Sequence, residues 1–176
     1  MAEIAVSAIK QVRKPPYALE AERAVLGALL LDTEAWDKVC GHLHAIDFYL
    51  EAHVKIFTAI EQLARKNEPF DALTVAEQLK KHDQLTQIGG ETLLFELANS
   101  TPVASHIMAY ANIIREHALL RRLLGAGQSI ANRVYEAGES SARDLLDEAE
   151  TAIFKIADDL PVDISTIIKR PLFVVR

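Results

Sequence analysis

The chain has 176 residues, of which 50% are hydrophobic, 25% are charged and 6% are aromatic, with a formal net charge of −6. This composition is that of an ordinary folded protein, and the scarcity of aromatic residues favours helices over a β-sandwich. The acidic balance argues against a dedicated nucleic-acid clamp, because phosphate contacts need clustered Lys and Arg. The single cysteine, Cys40, excludes an internal disulfide and is typical of a reducing cytosol. No apolar run reaches the ~20 residues that span a bilayer, so we expect a cytoplasmic protein.

The sequence pattern predicts a globular head made of several helices over residues 15–102, preceded by a flexible tail over residues 1–14. Pro15 and Pro16 end any incoming helix, because each fixes φ and lacks an N–H. The predicted helices of the head cover residues 18–31, 35–43, 53–66, 74–81 and 91–98. Apolar residues at helical spacing define their buried stripes, which are Val25, Leu26, Leu29 and Leu30 in the first helix and Ile56, Phe57, Ile60 and Leu63 in the third.

Local signals mark several helix ends in the head. Glu20 and Glu22 lie where the positive end of a helix dipole favours acidic residues. Thr74-Val75-Ala76-Glu77 has the sequence of a capping box, and Gly89-Gly90 is the sharpest turn signal in the chain. The segment Asp47-Phe48-Tyr49 predicts a turn with both rings directed inward.

Residues 103–158 predict a long antiparallel helical hairpin, whose helices cover residues 103–137 and 142–158. Ser141 and Asp144 form a capping pair at the start of the second helix. Its predicted buried face contains Leu145, Leu146, Ala149, Ile153 and Ile156. The pattern leaves the structure of the linker or tail over residues 159–176 undefined. The predicted fold class is therefore all-α, a globular multi-helix head followed by a long helical hairpin.

The long helix of the hairpin carries two apolar faces, although packing on its partner helix requires only one. The first face contains Ile107, Ala111, Ile114 and Ala118. The second face requires a further partner, because an exposed apolar surface of this length is unfavourable in a monomer. We expect self-association through Ile113, Leu120, Leu123, Leu124, Ile130 and Val134. The alternative is that Ile107 to Ile114 anchor the helix in the head, while the distal part still dimerises.

The sequence contains few residues arranged for chemistry. No glycine precedes a lysine, so the chain has no Walker A loop. Gly125 and Gly127 lie in a helical pattern and predict close helix packing or a mild kink. Cys40-Gly41-His42-Leu43-His44, with His53 nearby, is a weak zinc pattern without an assigned fourth ligand, and solvent-facing imidazoles in a turn are the simpler interpretation. We assign no catalytic, cofactor-binding or metal-ligating residue, and no constellation supports a small helical enzyme using Asp or His chemistry.

Five short blocks are more informative together than any single motif. The first block is Glu20-Ala21-Glu22 with Val25-Leu26-Gly27 and Leu31-Asp32, and the second is Asp47-Phe48-Tyr49 with His53 and Ile56-Phe57. The third block is Asp71 with Leu73-Thr74 and Leu79, and the fourth is Gly89-Gly90 with Thr101-Pro102, Tyr110-Ala111 and Ile114-Arg115-Glu116. The fifth block is Leu145-Leu146-Asp147 with Ala149-Glu150 and Phe154-Lys155-Ile156-Ala157. In this order and spacing they make the chain resemble the N-terminal domain of the DnaB-type bacterial replicative DNA helicases, from about Pro15 to Asp158.

The resemblance implies a helical head with a dimerising hairpin, copies of which form a trimer-of-dimers collar on a ring of motor domains. It also implies docking of the primase C-terminal domain, for which we select the exposed hairpin residues Arg121, Arg133 and Glu136. The motor domain, which binds ATP and Mg²⁺ and unwinds DNA in the 5'–3' direction, is absent here. The resemblance therefore predicts no enzyme activity and little direct nucleic-acid binding for this chain. The alternative is the helicase-binding domain of a primase, which has a similar head and hairpin.

Overall fold

The computed structural model describes residues 14–99, 106–138 and 140–158, and within these ranges the regular structure is helical. Its α-helices are α1 (Leu19–Leu31), α2 (Ala35–Val39), α3 (Glu51–Arg65), α4 (Ala72–Lys81), α5 (Glu91–Asn99), α6 (Ile107–Tyr135) and α7 (Ala142–Asp158), with short 3₁₀ helices at Ala45–Asp47 and Thr86–Ile88. The predicted all-α class is confirmed. The predicted tails, apart from Lys14, lie outside the described residues. None of the described helices combines the length and apolar character needed to cross a membrane.

The chain divides into two compact units between Ala118 and Leu119, within α6. The predicted boundary between head and hairpin, at residues 102 and 103, lies outside the described residues. The first unit contains α1 to α5 together with the first part of α6. The second unit contains the rest of α6 and α7.

Helices α1 and α3 supply much of the core of the first unit. The predicted stripes are confirmed, because every one of their members is at most 5% exposed. Phe57 is fully buried, and its ring centroid lies 4.9 Å from that of Phe48 and 5.7 Å from that of Trp36. Phe48 therefore points inward as predicted, whereas Tyr49 is half-buried and stacks on Tyr17 at 4.9 Å.

Glu22 has a role that its position in the first turn of α1 does not reveal. Its side chain is buried and accepts hydrogen bonds from the backbone N–H of Tyr49 at 2.7 Å and of Leu50 at 3.5 Å. A third contact, at 2.7 Å, joins its Oε2 to Nδ1 of His53. These donors lie at the start of α3, whose positive end favours a negative charge. Glu22 therefore stabilises the start of α3 from the neighbouring helix.

Helix α4 begins earlier than its sequence pattern indicates. The Asp71 carboxylate accepts from the Thr74 backbone N–H at 2.8 Å, and the Asp71 N–H donates to the Thr74 hydroxyl at 2.8 Å. The predicted box of Thr74 with Glu77 is therefore wrong, because Thr74 is already the third helical residue of a box that Asp71 opens. The backbone hydrogen bond from Thr74 lowers the pKa of Asp71, because it stabilises the ionised carboxylate.

The predicted turn at Gly89-Gly90 is confirmed. Both glycines adopt positive φ angles, 103° and 81°, between the second 3₁₀ helix and α5. An L-residue with a Cβ is strained in this left-handed region, whereas glycine enters it without steric cost. Glycine at both positions therefore allows the chain to reverse into α5.

Candidate interaction surface

The first part of α6 packs into the core of the first unit. Ile107, Ala111, Ile114 and Ala118 recur at helical spacing and are all at most 3% exposed. The first three belong to the same hydrophobic core as the residues of α1 and α3. The anchoring alternative is therefore confirmed for this face.

A second apolar face of α6 remains exposed. The residues of this face are separated in the sequence by three, four or seven positions, except for the last two, which are adjacent. Residues at this spacing lie on one side of a helix. The α6 apolar face consists of Ile113, Leu120, Leu124, Gly127, Ala131, Val134 and Tyr135. Its large side chains are between 41% and 89% exposed, and Leu123, at its edge, is 47% exposed. Such a continuous apolar surface is typical of an interaction site.

Ile130, which we selected for self-association, lies off the α6 apolar face. It is half-buried, as are Leu119 and Ala126, which recur with it at intervals of four and seven residues. This half-buried side of α6 is distinct from the exposed one. Of the six selected residues, Ile113, Leu120, Leu124 and Val134 lie on the α6 apolar face and Leu123 borders it.

An ion pair joins the two helices of the second unit. The Arg133 guanidinium donates to both carboxylate oxygens of Glu148 on α7, at 2.8 to 2.9 Å. The bidentate geometry fixes the arginine, although both side chains remain about half exposed. Arg121 is half-buried and Glu136 is exposed. The three residues selected for primase therefore all lie in the second unit, and one of them is held by α7.

The glycines of α6 do not serve close packing within the described part of the chain. A Cβ added at Gly125 or at Gly127 would meet no atom within 4 Å. Both residues lie inside the uninterrupted helix Ile107–Tyr135 and are exposed. The predicted close packing is therefore wrong for the described chain. The cost of about 1 kcal/mol that a helical glycine carries relative to alanine is not offset by a contact there.

Helix α7 also exposes apolar side chains. Ser141 and Asp144 form the predicted cap at its start, with Oγ and Oδ2 2.8 Å apart. Leu146 and Ile153, which we expected to be buried, are 58% and 42% exposed, and Phe154 is 65% exposed. The prediction is therefore wrong for Leu146 and Ile153. Of the five residues predicted for the buried face, Leu145, Ala149 and Ile156 are half-buried.

A groove lies between α1 and α6 in the first unit. Its volume is about 620 Å³, within the range of sites that accept small molecules or large side chains. Its lining contains Ala18, Leu19, Glu20, Ala21, Arg23 and Ala24 from the start of α1, and Tyr110 and Ile113 from α6. Ile113 therefore belongs both to this groove and to the α6 apolar face.

The histidines of the weak zinc pattern have other partners. His42 Nε2 lies 2.7 Å from Asn112 Oδ1, and its Nδ1 lies 3.3 Å from the Arg115 guanidinium. His53 is buried against Glu22. Among the described residues, no group of three or more His, Cys, Asp or Glu side chains is arranged to hold a metal ion.

The sequence of the chain matches the model of a known protein family. The model of the family described as "DnaB-like helicase N terminal domain" matches residues 14–116, which is more than half of the chain. The chain belongs to the DnaB-like helicase N-terminal domain family. The match covers most of the first unit, including α1 to α5 and the part of α6 up to Glu116.

Members of this family are similar to the chain beyond the matched residues. The chain is 41% identical over 148 residues to the replicative DNA helicase DnaB of Haemophilus influenzae, covering 84% of the chain and 32% of that helicase. It is 42% identical over 145 residues to DnaB of Geobacillus stearothermophilus, covering 82% of the chain and 32% of that helicase. The chain thus spans about a third of the length of these curated relatives.

Solved structures agree with this membership. The crystal structure of the N-terminal domain of DnaB helicase from Mycobacterium tuberculosis is similar with a TM-score of 0.76 and 38% identity, covering 80% of the chain and 99% of that domain. A DnaB-like replicative helicase, described with its interactions with primase, shares the fold with a TM-score of 0.66 at 23% identity, covering 86% of the chain and 34% of that structure's chain. The chain therefore corresponds to the N-terminal domain of a replicative helicase.

Proposed function

We propose that this chain is the N-terminal domain through which a replicative DNA helicase self-associates and docks primase. The observation that carries the proposal is the α6 apolar face, which runs from Ile113 to Tyr135 with its large side chains exposed. A monomer would leave this surface in water, whereas pairing with a second copy removes it from water. The pairing is a dimer, and dimers of this kind combine into a hexameric collar as a trimer of dimers.

The self-association is expected to be symmetric. In a two-fold dimer each copy contributes the same surface, so a single apolar face is sufficient for both. Leu120 and Leu124 lie near the middle of the face, where interface residues are best shielded from water and contribute most. We therefore place these two leucines at the centre of the interface, with Leu123 at its rim.

Primase docking is the second part of the proposal. It is supported by the fold shared with the DnaB-like helicase that was described with its interactions with primase. Arg121, Arg133 and Glu136 remain the proposed contacts. Arg133 and Glu136 place charged groups near the turn between α6 and α7, whereas Arg121 lies in the middle of α6. Charged residues at the rim of an interface mainly set association rate and specificity.

The remaining functions of the helicase belong to other parts of it. We propose that ATP and Mg²⁺ binding and DNA unwinding reside in the two thirds of the relatives' length that this chain does not span. The net charge of −6 favours little direct nucleic-acid binding by this chain. We propose that it acts in the cytoplasm. The alternative of a primase domain is not favoured, because the family match is to the helicase.

Sedimentation equilibrium of the chain over a range of concentrations tests the first part of the proposal. We expect a dimer or a higher assembly at tens of micromolar. A single monomeric species over this range would overturn the proposed self-association. Titration calorimetry with an isolated primase C-terminal domain tests the second part, and the absence of binding to the assembled chain would overturn it.

Two matched variants separate a primase contact from a structural effect of the ion pair between α6 and α7. Arg133→Ala removes both the guanidinium and the pair, whereas Glu148→Gln weakens the pair and keeps the guanidinium. If Arg133 contacts primase, only Arg133→Ala weakens binding. Equal weakening by both variants would show that the ion pair acts by positioning, and an unchanged affinity in both would remove Arg133 from the proposed contact.

A further inference from the structure

The groove between α1 and α6 is a concave apolar surface that belongs entirely to the first unit. Its lining comes from the start of α1 and from Tyr110 and Ile113 of α6. Alanines at positions 18, 21 and 24 have short side chains and leave space beside α1. No side chain of the described residues occupies this space. An apolar concavity of this size is typical of a binding site.

Residues 1–13, which lie outside the described residues, join the chain next to this groove. The described chain begins at Lys14, only four residues before Ala18 in the groove wall. Tyr17, between them, stacks on Tyr49 and so holds the chain at this point. An extended chain spans at most about 3.3–3.6 Å per residue, so Ile9 can lie up to roughly 30 Å from Ala18. This reach exceeds the length of α1, which is about 20 Å.

The composition of residues 1–13 suits an apolar groove. The segment contains four β-branched apolar residues, Ile4, Val6, Ile9 and Val12. Burying such side chains is favourable in proportion to the apolar area that is removed from water. A tethered segment is also present at high effective concentration, and it avoids the loss of translational freedom that a separate peptide incurs on binding.

Two charged side chains on the groove wall complement the charges of the segment. Glu20 is exposed and Arg23 is half-buried, and the ion pairs found in the described part of the chain include neither. The segment carries Lys10 and Arg13 near its junction with the head and Glu3 near its beginning. The basic residues can therefore pair with Glu20 at the start of α1, and Glu3 can pair with Arg23 one turn further along. Such pairs contribute mainly to specificity.

We propose that residues 1–13 dock in the groove between α1 and α6 of their own chain. Apolar side chains of the segment, including that of Ile9, pack against Tyr110 and Ile113 in the space beside the short alanines of α1. The docked segment closes the groove to other chains. Ile113 is also the first residue of the α6 apolar face, so the segment borders the surface proposed for self-association. The docking itself does not depend on that self-association.

Methyl NMR of the full chain tests this docking directly. With the δ1 methyl groups of isoleucine labelled, we expect nuclear Overhauser effects between Ile113 and the segment residues Ile4 or Ile9. Ile46 is the matched control, because it is an exposed isoleucine of the first unit outside the groove, and it should show no such effect. The absence of a contact between Ile113 and the segment would overturn the proposal, as would equal contacts with Ile46.

A pair of substitutions in the segment provides a second readout. Ile4→Asp adds a charge to an apolar residue, whereas Ser7→Asp adds the same charge to a polar one. Trypsin cleavage after Lys10, followed by mass spectrometry, reports how often the segment leaves the groove. We expect Ile4→Asp to be cleaved about tenfold faster than wild type, because a carboxylate is unfavourable in an apolar site, and Ser7→Asp to be cleaved like wild type. Equal cleavage rates in all three proteins would overturn the docking.

The outcomes distinguish this inference from the proposed self-association. The contacts of Ile113 with the segment should persist in Leu124→Asp, the variant designed to be monomeric. Contacts found only between differently labelled copies would show that the segment docks on a second copy and would overturn the proposal. If wild type is monomeric but shows the contacts, the docking stands and the proposed self-association fails. If wild type associates without them, the docking fails and the proposed function stands.

Discussion

Glu22 on α1 and His53 on α3 meet inside the first unit, with Oε2 of the carboxylate 2.7 Å from Nδ1 of the imidazole. Each side chain is at most 2% exposed. The other carboxylate oxygen accepts from the Tyr49 backbone N–H. One carboxylate therefore stabilises the beginning of α3 and joins it to α1, in addition to the apolar packing between the two helices.

Replacing Glu22 tests this role. Glu22→Gln directs an amide NH₂ at groups that donate, so at least one buried donor loses its acceptor. We expect the free energy of unfolding to fall by about 1–3 kcal/mol, the range for a buried donor left without a partner. The measurement is urea denaturation followed by circular dichroism at fixed protein concentration. Glu20→Gln is the matched control, because Glu20 is exposed, and should change stability by less than ~0.5 kcal/mol. Equal effects would refute the role of Glu22.

The cap of α4 provides a prediction with a pH dependence. Asp71→Ala removes the acceptor for the Thr74 N–H and should lower the free energy of unfolding by about 1 kcal/mol. The pKa of Asp71 is lowered in the folded chain, chiefly by the hydrogen bond from the Thr74 backbone N–H. Its contribution is therefore fully present well above the unfolded carboxyl pKa of about 3.9. It is lost as the pH falls through the lower folded value.

Asp71→Asn separates the cap from the charge. Asparagine caps a helix about as well as aspartate, so most of the stability at neutral pH should remain. The stability difference between wild type and Asp71→Asn should shrink as the pH is lowered through the folded pKa of Asp71. The measurement is urea denaturation at several pH values between about 2 and 7. A stability difference that does not change with pH would contradict the lowered pKa of Asp71 in the folded chain.

Gly125 offers a prediction in the opposite direction. Its added Cβ meets no neighbour within 4 Å, and it lies within a continuous helix. Gly125→Ala should therefore stabilise the chain by about 0.5–1 kcal/mol, through the lower entropy of the unfolded chain and better helix propensity. Thermal denaturation by circular dichroism measures the change. A destabilised variant would show that a neighbour approaches Gly125 closely in the assembled protein.

Features of the structure that depend on residues close together in the sequence could be predicted, whereas contacts between residues far apart in the sequence could not. The five helices predicted for the head and the core positions of α1 and α3 follow from apolar spacing, and both are confirmed, although α2 ends at Val39 and not at residue 43 as predicted. The cap of α4 was assigned to Thr74 and Glu77 because two overlapping patterns, Asp71-x-x-Thr74 and Thr74-x-x-Glu77, both satisfy the local rule. In the structure the hydrogen bonds between Asp71 and Thr74 show that the helix begins at Ala72, which is itself buried in the core.

Long-range contacts were beyond local patterns. Glu22 has the sequence position of a residue that favours its own helix dipole, and nothing local predicts that it contacts residues 27 to 31 positions later. The two relevant segments were nevertheless both among the blocks that carry the family resemblance. The α6 apolar face was predicted from periodicity, but the side occupied by Ile130 and the exposure of Leu146 depend on how α6 and α7 pack.

The central claim is that the α6 apolar face mediates self-association, and sedimentation equilibrium of matched variants tests it most directly. Leu124→Asp places a charge in the centre of the proposed interface, where burial would cost several kcal/mol, while Leu124 is 46% exposed in the single chain. Asn132→Asp adds the same charge at an exposed residue of α6 away from the face. We predict that wild type and Asn132→Asp sediment as dimers or larger assemblies, whereas Leu124→Asp sediments as a folded 19.5 kDa monomer. A Leu124→Asp variant that associates as tightly as wild type would contradict the claim.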